Sequence, residues 1–160
     1  MRLMQSLTFT PGRAFLSSDS PTVPWTVVFE DEGTAGYFYA CDRSQRTPNQ
    51  DQDQDQDQDQ AHSILDVVLI YNVGALAASD AELERPVPER IATVEWSRDG
   101  MQAVLYLDGT AQALFDFQAR CGHCRMDFPN FLSERGDTWR KNSHAWSEAA
   151  LHDFEAALYA

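Results

Sequence analysis

No stretch of this sequence approaches the roughly 18 consecutive apolar residues that a membrane-spanning helix needs; the longest, Val67 to Tyr71, is only strand-sized. A secretory signal is lacking as well, because Gln5, Ser6, Thr8, Thr10 and Pro11 interrupt Met1 to Ser18 before a hydrophobic core develops. A soluble, cytoplasmic protein without membrane attachment is expected. Cysteine is scarce: three in 160 residues, an odd number that in a reducing compartment argues for free thiols over a disulfide framework. Basic residues are outnumbered, 12 Lys and Arg against 25 Asp and Glu, for a formal net charge of -13. A surface of that sign repels phosphate backbones, which argues against nucleic acid as a partner, and suits a basic protein. The sequence contains no Gly-x-Ser-x-Gly elbow, glycine-rich phosphate loop or dinucleotide-binding fingerprint, so hydrolase and nucleotide-binding functions have no positive support. The balance leans away from an enzyme.

What is present is enough for one domain. At 160 residues the chain can bury a core without obligatory disulfides or metal, so residues 1–160 are expected to form a single unit. Five of the acids lie in the alternating Asp-Gln run from Asp51 to Gln60, leaving 20 acids against 12 bases elsewhere, about -8. That run offers nothing to bury and repeats like charges at every second position, so residues 43–62 are expected to be a solvated, mobile, expanded insertion. Alternating Asp resembles the opening of an EF-hand loop. Counted from Asp51, however, Gln56 and His62 stand where that loop needs Gly and Glu.

Strand signals dominate the remainder. Trp25, Val27 and Phe29 alternate with Thr26, Val28 and Glu30, and Asp31-Glu32-Gly33-Thr34 turns the chain into aromatic-rich Gly36 to Asp42, a predicted β-hairpin. Ile64 to Val73 is apolar almost throughout and reads as a central strand in the middle of the sheet. Ile91–Ser97, Met101–Leu107 and Ala111–Phe117, joined at Asp99-Gly100 and Asp108-Gly109, predict a three-stranded meander. Its inward sets are Ala92, Val94 and Trp96, then Ala103, Leu105 and Leu107, then Ala113, Phe115 and Phe117. Pro129 to Gly136 suits a short helical turn, and Ser143 suits the N-cap of a helix from His144 to Leu158 with Trp146, Ala150, Phe154 and Leu158 on one face. The expected class is α+β, an antiparallel sheet meander packed on one face against a C-terminal helix.

Cys121-Gly122-His123-Cys124 carries the chemistry most legible in the sequence, since a Cys-x-x-Cys pair can cycle as a dithiol or supply half a zinc site. Thioredoxin-like proteins place such a tetrapeptide at a helix N-terminus, which lowers the thiol pKa. Here it follows the meander, and Phe128-Pro129 disfavours a helix starting at Cys121. Zinc would need further ligands. His144 and His152, eight residues apart on one helix, would stand about 12 Å apart, too far to share an ion, which leaves Cys41 with Cys121, Cys124 and one histidine. The commoner fate of such cysteines is a turn with inert thiols.

Other candidates are binding residues. Glu30, Asp31 and Glu32 read as a charged rim on a hairpin turn. Asp116, between two inward phenylalanines, is expected on the opposite sheet face in an ion pair with Arg120 or Arg125. Most aromatics are expected in the core, with Trp139, beside Arg140 and Lys141, the best candidate for an exposed binding residue.

Val28-Phe29-Glu30-Asp31-Glu32-Gly33 with Gly36-Tyr37-Phe38-Tyr39-Ala40, Ile64-Leu65-Asp66 with Ile70-Tyr71-Asn72-Val73, Glu95-Trp96-Ser97 with Asp99-Gly100, and Phe115-Asp116-Phe117 with Cys124-Arg125 and Phe128-Pro129 form a specific combination. It resembles a small bacterial family, domain-of-unknown-function family 2251, over most of Val23 to Leu158. The resemblance implies one bacterial domain, with the Asp-Gln run inserted between two strands and more weight on Cys124-Arg125 than on Cys121. It transfers no activity, cofactor or catalytic residue. Three functional classes follow: a non-enzymatic protein-binding module, such as an immunity-like or antitoxin-like inhibitor whose acidic rim meets a basic target; a thiol-redox or zinc protein centred on Cys121 and Cys124; and a small-molecule sensor with a pocket between sheet and helix.

Overall fold

The computed structural model describes residues 3–10, 12, 14–33, 35–45, 63–72, 89–125, 139 and 144–158. Nine strands are present among them: β1 (Leu3–Phe9), β2 (Ala14–Asp19), β3 (Trp25–Asp31), β4 (Ala35–Asp42), β5 (Ser63–Asn72), β6 (Arg90–Trp96), β7 (Gln102–Leu107), β8 (Thr110–Asp116) and β9 (Cys121–Cys124). One α-helix follows, α1 (Glu148–Leu158). The strands form two antiparallel sheets, a five-stranded one ordered β1-β6-β7-β8-β9 and a four-stranded one ordered β2-β3-β4-β5. The class is α+β, built on two sheets where one was expected.

Alternation explains the pairing. In β2, Ala14, Leu16 and Ser18 are buried while Phe15, Ser17 and Asp19 are exposed, the period of a strand with one face on a core. Strands of both sheets send side chains into one apolar cluster: Leu16, Val27, Phe29, Phe38 and Val68 from the smaller sheet, and Val94, Trp96, Leu105 and Phe115 from the larger. Phe38 stacks on Phe115 across the gap at 5.0 Å between centroids, and Phe9 meets Phe29 at 5.5 Å. All nine residues assigned inward on β6, β7 and the stretch 111–117 join this cluster. The turn into β8 holds Asp108 at φ 52° and Gly109 at φ 86°, left-handed positions that Asp-Gly pairs accept readily.

Several expectations are corrected. β5 is an edge strand of the smaller sheet; its apolar run reflects burial between layers, and its Leu65 and Leu69 carbonyls accept hydrogen bonds from Trp139 N–H (3.1 Å) and Cys124 Sγ–H (3.1 Å). Arg43–Gln45 forms a short 3-10 turn, with Ser44 N–H donating to Asp42 Oδ1. The Asp-Gln run, the turn expected at 129–136 and Ser143 lie outside the described residues. Helix α1 begins at Glu148, and its cap is Ser147, whose Oγ accepts the Ala150 N–H at 3.0 Å. His144 cannot open the helix because its φ is 63° and its backbone bridges to His123.

The helix lies on the outer face of the larger sheet, where Phe154 and Leu158 form a second cluster with Val104, Ala111 and Leu114. Arg98 donates to the Leu158 carbonyl, satisfying an orphan acceptor at the helix end. Ser147→Ala should lower stability by about 0.5–2 kcal/mol, read as a reduced urea midpoint with an unchanged slope.

Candidate functional site

Strand β9 decides what the Cys-Gly-His-Cys segment can do. Successive side chains of a strand point to opposite faces, so residues three apart diverge. Gly122 and Cys124 face the core, whereas Cys121 and His123 are only half-buried on the other face. The turn expected here is instead a strand, and its two thiols point to opposite faces of the sheet. All three cysteines are free thiols, Cys41 and Cys124 fully buried. Burial pushes the Cys41 thiol up to about 12. Among the described residues, no three His, Cys, Asp or Glu side chains converge as metal ligands.

Beneath β9 lies a polar pair that sequence reasoning missed. His144 Nε2–H donates to both carboxylate oxygens of Asp66, 2.9 Å each, and both side chains are wholly buried. Val67 N–H donates to Asp66 Oδ1 at 3.0 Å. The backbone of His144 is engaged too, its carbonyl accepting the Cys124 N–H at 3.0 Å. Thus β5 of one sheet, β9 of the other and the segment entering α1 are tied at one point. Gly122 is required there, since a Cβ would stand 2.8 Å from the Phe115 ring and 3.0 Å from Asp66 Oδ2. The signal available in sequence was Asp66 itself, a lone acid in an apolar strand; its partner, 78 residues away, carried none.

On the outer face, the His123 Nδ1–H donates to the Ala145 carbonyl at 2.8 Å, which turns Nε2 toward Cys121 Sγ at 3.8 Å. This resembles a nucleophile and its base, yet the thiol is not activated. Burial, then the Asp116 and Asp66 carboxylates, raise its pKa. Asp116 faces outward as expected but pairs with neither arginine: it accepts from Gln102 Nε2 and from the Gln118 and Ala119 N–H groups. Arg125 is drawn elsewhere because its guanidinium stacks on Trp146 at 4.2 Å and reaches Glu148 at 3.5 Å. Trp139, the aromatic singled out as a candidate binding residue, is 6% exposed and packs edge-on against Phe115 and Phe117, so it joins the core with most of the other aromatics and marks no exposed surface.

The acidic triplet divides. Asp31 is 1% exposed and is not part of a rim: it accepts hydrogen bonds from Gly12 N–H, Gly33 N–H and Tyr71 Oη–H, which lock the ends of two loops together. Glu30, half-buried on the outer face, accepts from Tyr39 Oη–H at 3.0 Å, and Glu32 is exposed. Register places Phe15 opposite Glu30 and Glu30 opposite Tyr37. Phe15 is 61% exposed, and with Gly12, Ala14, Glu30, Asp31 and Glu32 it lines an open cavity of about 450 Å3.

A family described as "Uncharacterized protein conserved in bacteria (DUF2251)" matches residues 9–155. The chain belongs to this family. A DUF2251 family assignment brings no site residues with it, so the geometry above stands as the basis for function. An uncharacterized protein from Haemophilus influenzae is 29% identical over 105 residues, 66% of this chain and 52% of that protein. The chain thus spans about half the length of that curated relative. No solved structure matches it.

Two outcomes check this site in the DUF2251 chain. Asp66→Ala, which removes the carboxylate that a buried imidazole donates to, should cost about 3–5 kcal/mol, measured by urea unfolding, while Cys121→Ser should change the midpoint little. Cys121 should alkylate more slowly than free cysteine at pH 8, and Asp116→Asn should speed it, because removing the carboxylate lowers the thiol pKa toward its ordinary value and raises the thiolate fraction.

Proposed function

We propose that this chain is a non-enzymatic binding module of the bacterial cytoplasm whose partner is a basic protein, in the manner of an immunity or antitoxin inhibitor. The observation that carries the reading is Phe15, a 61%-exposed aromatic beside an acidic cavity rimmed by Glu30 and Glu32. Isolated exposed apolar residues are ordinary; one set beside carboxylates on a concave surface matches an arginine side chain. The guanidinium stacks on an aromatic face and presents a planar fork to carboxylate oxygens. Asp31, a lining residue fixed by three donors, keeps its part of the cavity rigid, which lowers the ordering cost of binding. The net charge of -13 speeds the approach of a basic partner and makes association salt-dependent. No described helix is long and apolar enough to cross a membrane.

The 3.8 Å approach of Cys121 Sγ to His123 Nε2 is the observation favouring a second reading, a thiol or zinc function. The raised thiol pKa and the opposite orientation of Cys124 weigh against it.

Affinity capture from the native host should retain a basic protein in near-stoichiometric amount on the wild-type chain, released by raised salt and lost with Phe15→Ala/Glu32→Lys. Capture unaffected by that double substitution, or no basic protein retained, would count against the proposal.

A further inference from the structure

A sheet edge exposes unpaired backbone N–H and C=O groups, and proteins blunt such edges with charge, proline, bulges, shortness or cover. The described residues present four edges. β9 is four residues long and is met by His144 in a bridge. β5 has register shifts against β4, and two of its carbonyls accept from Trp139 and Cys124. β2 ends in exposed Asp19, and Pro21 follows closely. Among the described residues, β1 has none of these protections. Its seven residues, Leu-Met-Gln-Ser-Leu-Thr-Phe, include no charge and no proline. Its pairing with β6 runs without a shift from Leu3↔Trp96 to Phe9↔Arg90, and among the described residues no strand lies on its other side.

We propose that β1 pairs antiparallel with β1 of a second copy of this chain, joining two five-stranded sheets across a two-fold axis at Ser6. Charge and shape both point to this occupant. Copies that each carry -13 repel over most of their surfaces, whereas β1 meets β1 without opposing charges. Centring on Ser6, the middle of Leu3–Phe9, sets Met4 of one copy opposite Thr8 of the other. Thr8 in turn lies opposite Ile91 on β6. Met4 is 47% and Ile91 48% exposed, two of the three large apolar side chains left in water among the described residues. In the pair they stand two strands apart, about 10 Å, with small Thr8 between them, so the flexible methionine reaches across to cover the isoleucine. Ser17 and Asp19 on β2 offer no such match. A symmetric, isologous contact of this kind closes on itself and stops at two copies.

Sedimentation velocity of the full chain over a dilution series should give a mass twice the 18.1 kDa of one chain at high concentration, falling to one on dilution. Met4→Lys/Thr8→Lys, which sets lysines opposite each other in the pair, should be monomeric throughout. Met4→Lys/Thr8→Glu, which sets opposite charges there, should restore the dimer. Both positions are exposed, so far-UV circular dichroism and thermal midpoints of the monomeric forms should agree, and hydrogen exchange at β1 amides should be slower in the dimer alone. A wild-type chain monomeric at the highest attainable concentration, or a dimer that survives Met4→Lys/Thr8→Lys, would overturn the proposal. Failure of Met4→Lys/Thr8→Glu to regain the dimer would overturn the Ser6-centred pairing.

Discussion

The hydrogen bonds from His144 to Asp66 close one side of the sandwich, and much of the remaining structure depends on them. Two antiparallel sheets packed face to face are held by apolar contact, which is strong but does not fix their lateral register. A fully buried carboxylate must be satisfied, and here the His144 imidazole and the Val67 N–H donate to its oxygens in the positions that β5 and β9 allow. The seam is reinforced where the Cys124 thiol and the Trp139 amide bond to carbonyls of β5. Bound there, His144 takes a left-handed conformation, and the chain then reaches the Ser147 cap that starts the helix.

The opposite side is built differently. There Trp96 Nε1–H donates to Ser18 Oγ of β2 at 2.9 Å and Ser20 Oγ–H to the Gly100 carbonyl at 2.9 Å, and the exposed Met4 and Phe15 lie on edges β1 and β2. The two flanks therefore differ: one is tied through a buried carboxylate and imidazole, the other through neutral side-chain bonds beside exposed apolar side chains. Charge adds a second asymmetry. The acids near Phe15 are arranged around a cavity, whereas β1 is free of charge, so one flank offers two chemically distinct surfaces suited to different partners.

Local signals made much of the fold legible. The Asp99-Gly100 and Asp108-Gly109 turns, and the alternation in residues 91–117, identified strands and their inward faces because period-two patterning reports burial directly. The stripe of Ala150, Phe154 and Leu158 identified the helix for the same reason. The N-terminal strands were harder: Leu3–Phe9 mixes Gln, Ser and Thr with apolar residues, as an edge strand does, and lacks a strong alternation. The site residues were only partly legible. Asp31, in a run of three acids, carried no mark of its burial, because the donors that satisfy it come from Gly12, Gly33 and Tyr71 in three separate segments. Trp139, beside two basic residues, was the aromatic with most claim to an exposed place, yet it packs on the Phe115 and Phe117 rings, which lie more than twenty residues earlier.

The sequence by itself determined the class, the family, the acidic character and the strand-and-turn rhythm, since each depends on composition or on neighbours within a few residues. Phe128-Pro129 also argued against a helix opening at Cys121, and a strand stands there. Only the tertiary structure decided that this segment is a strand, that its two thiols therefore diverge, and that an aspartate and a histidine 78 residues apart form the buried bond beneath it. Such pairings are set by how two sheets stack, a long-range packing outcome that no local pattern of residues encodes.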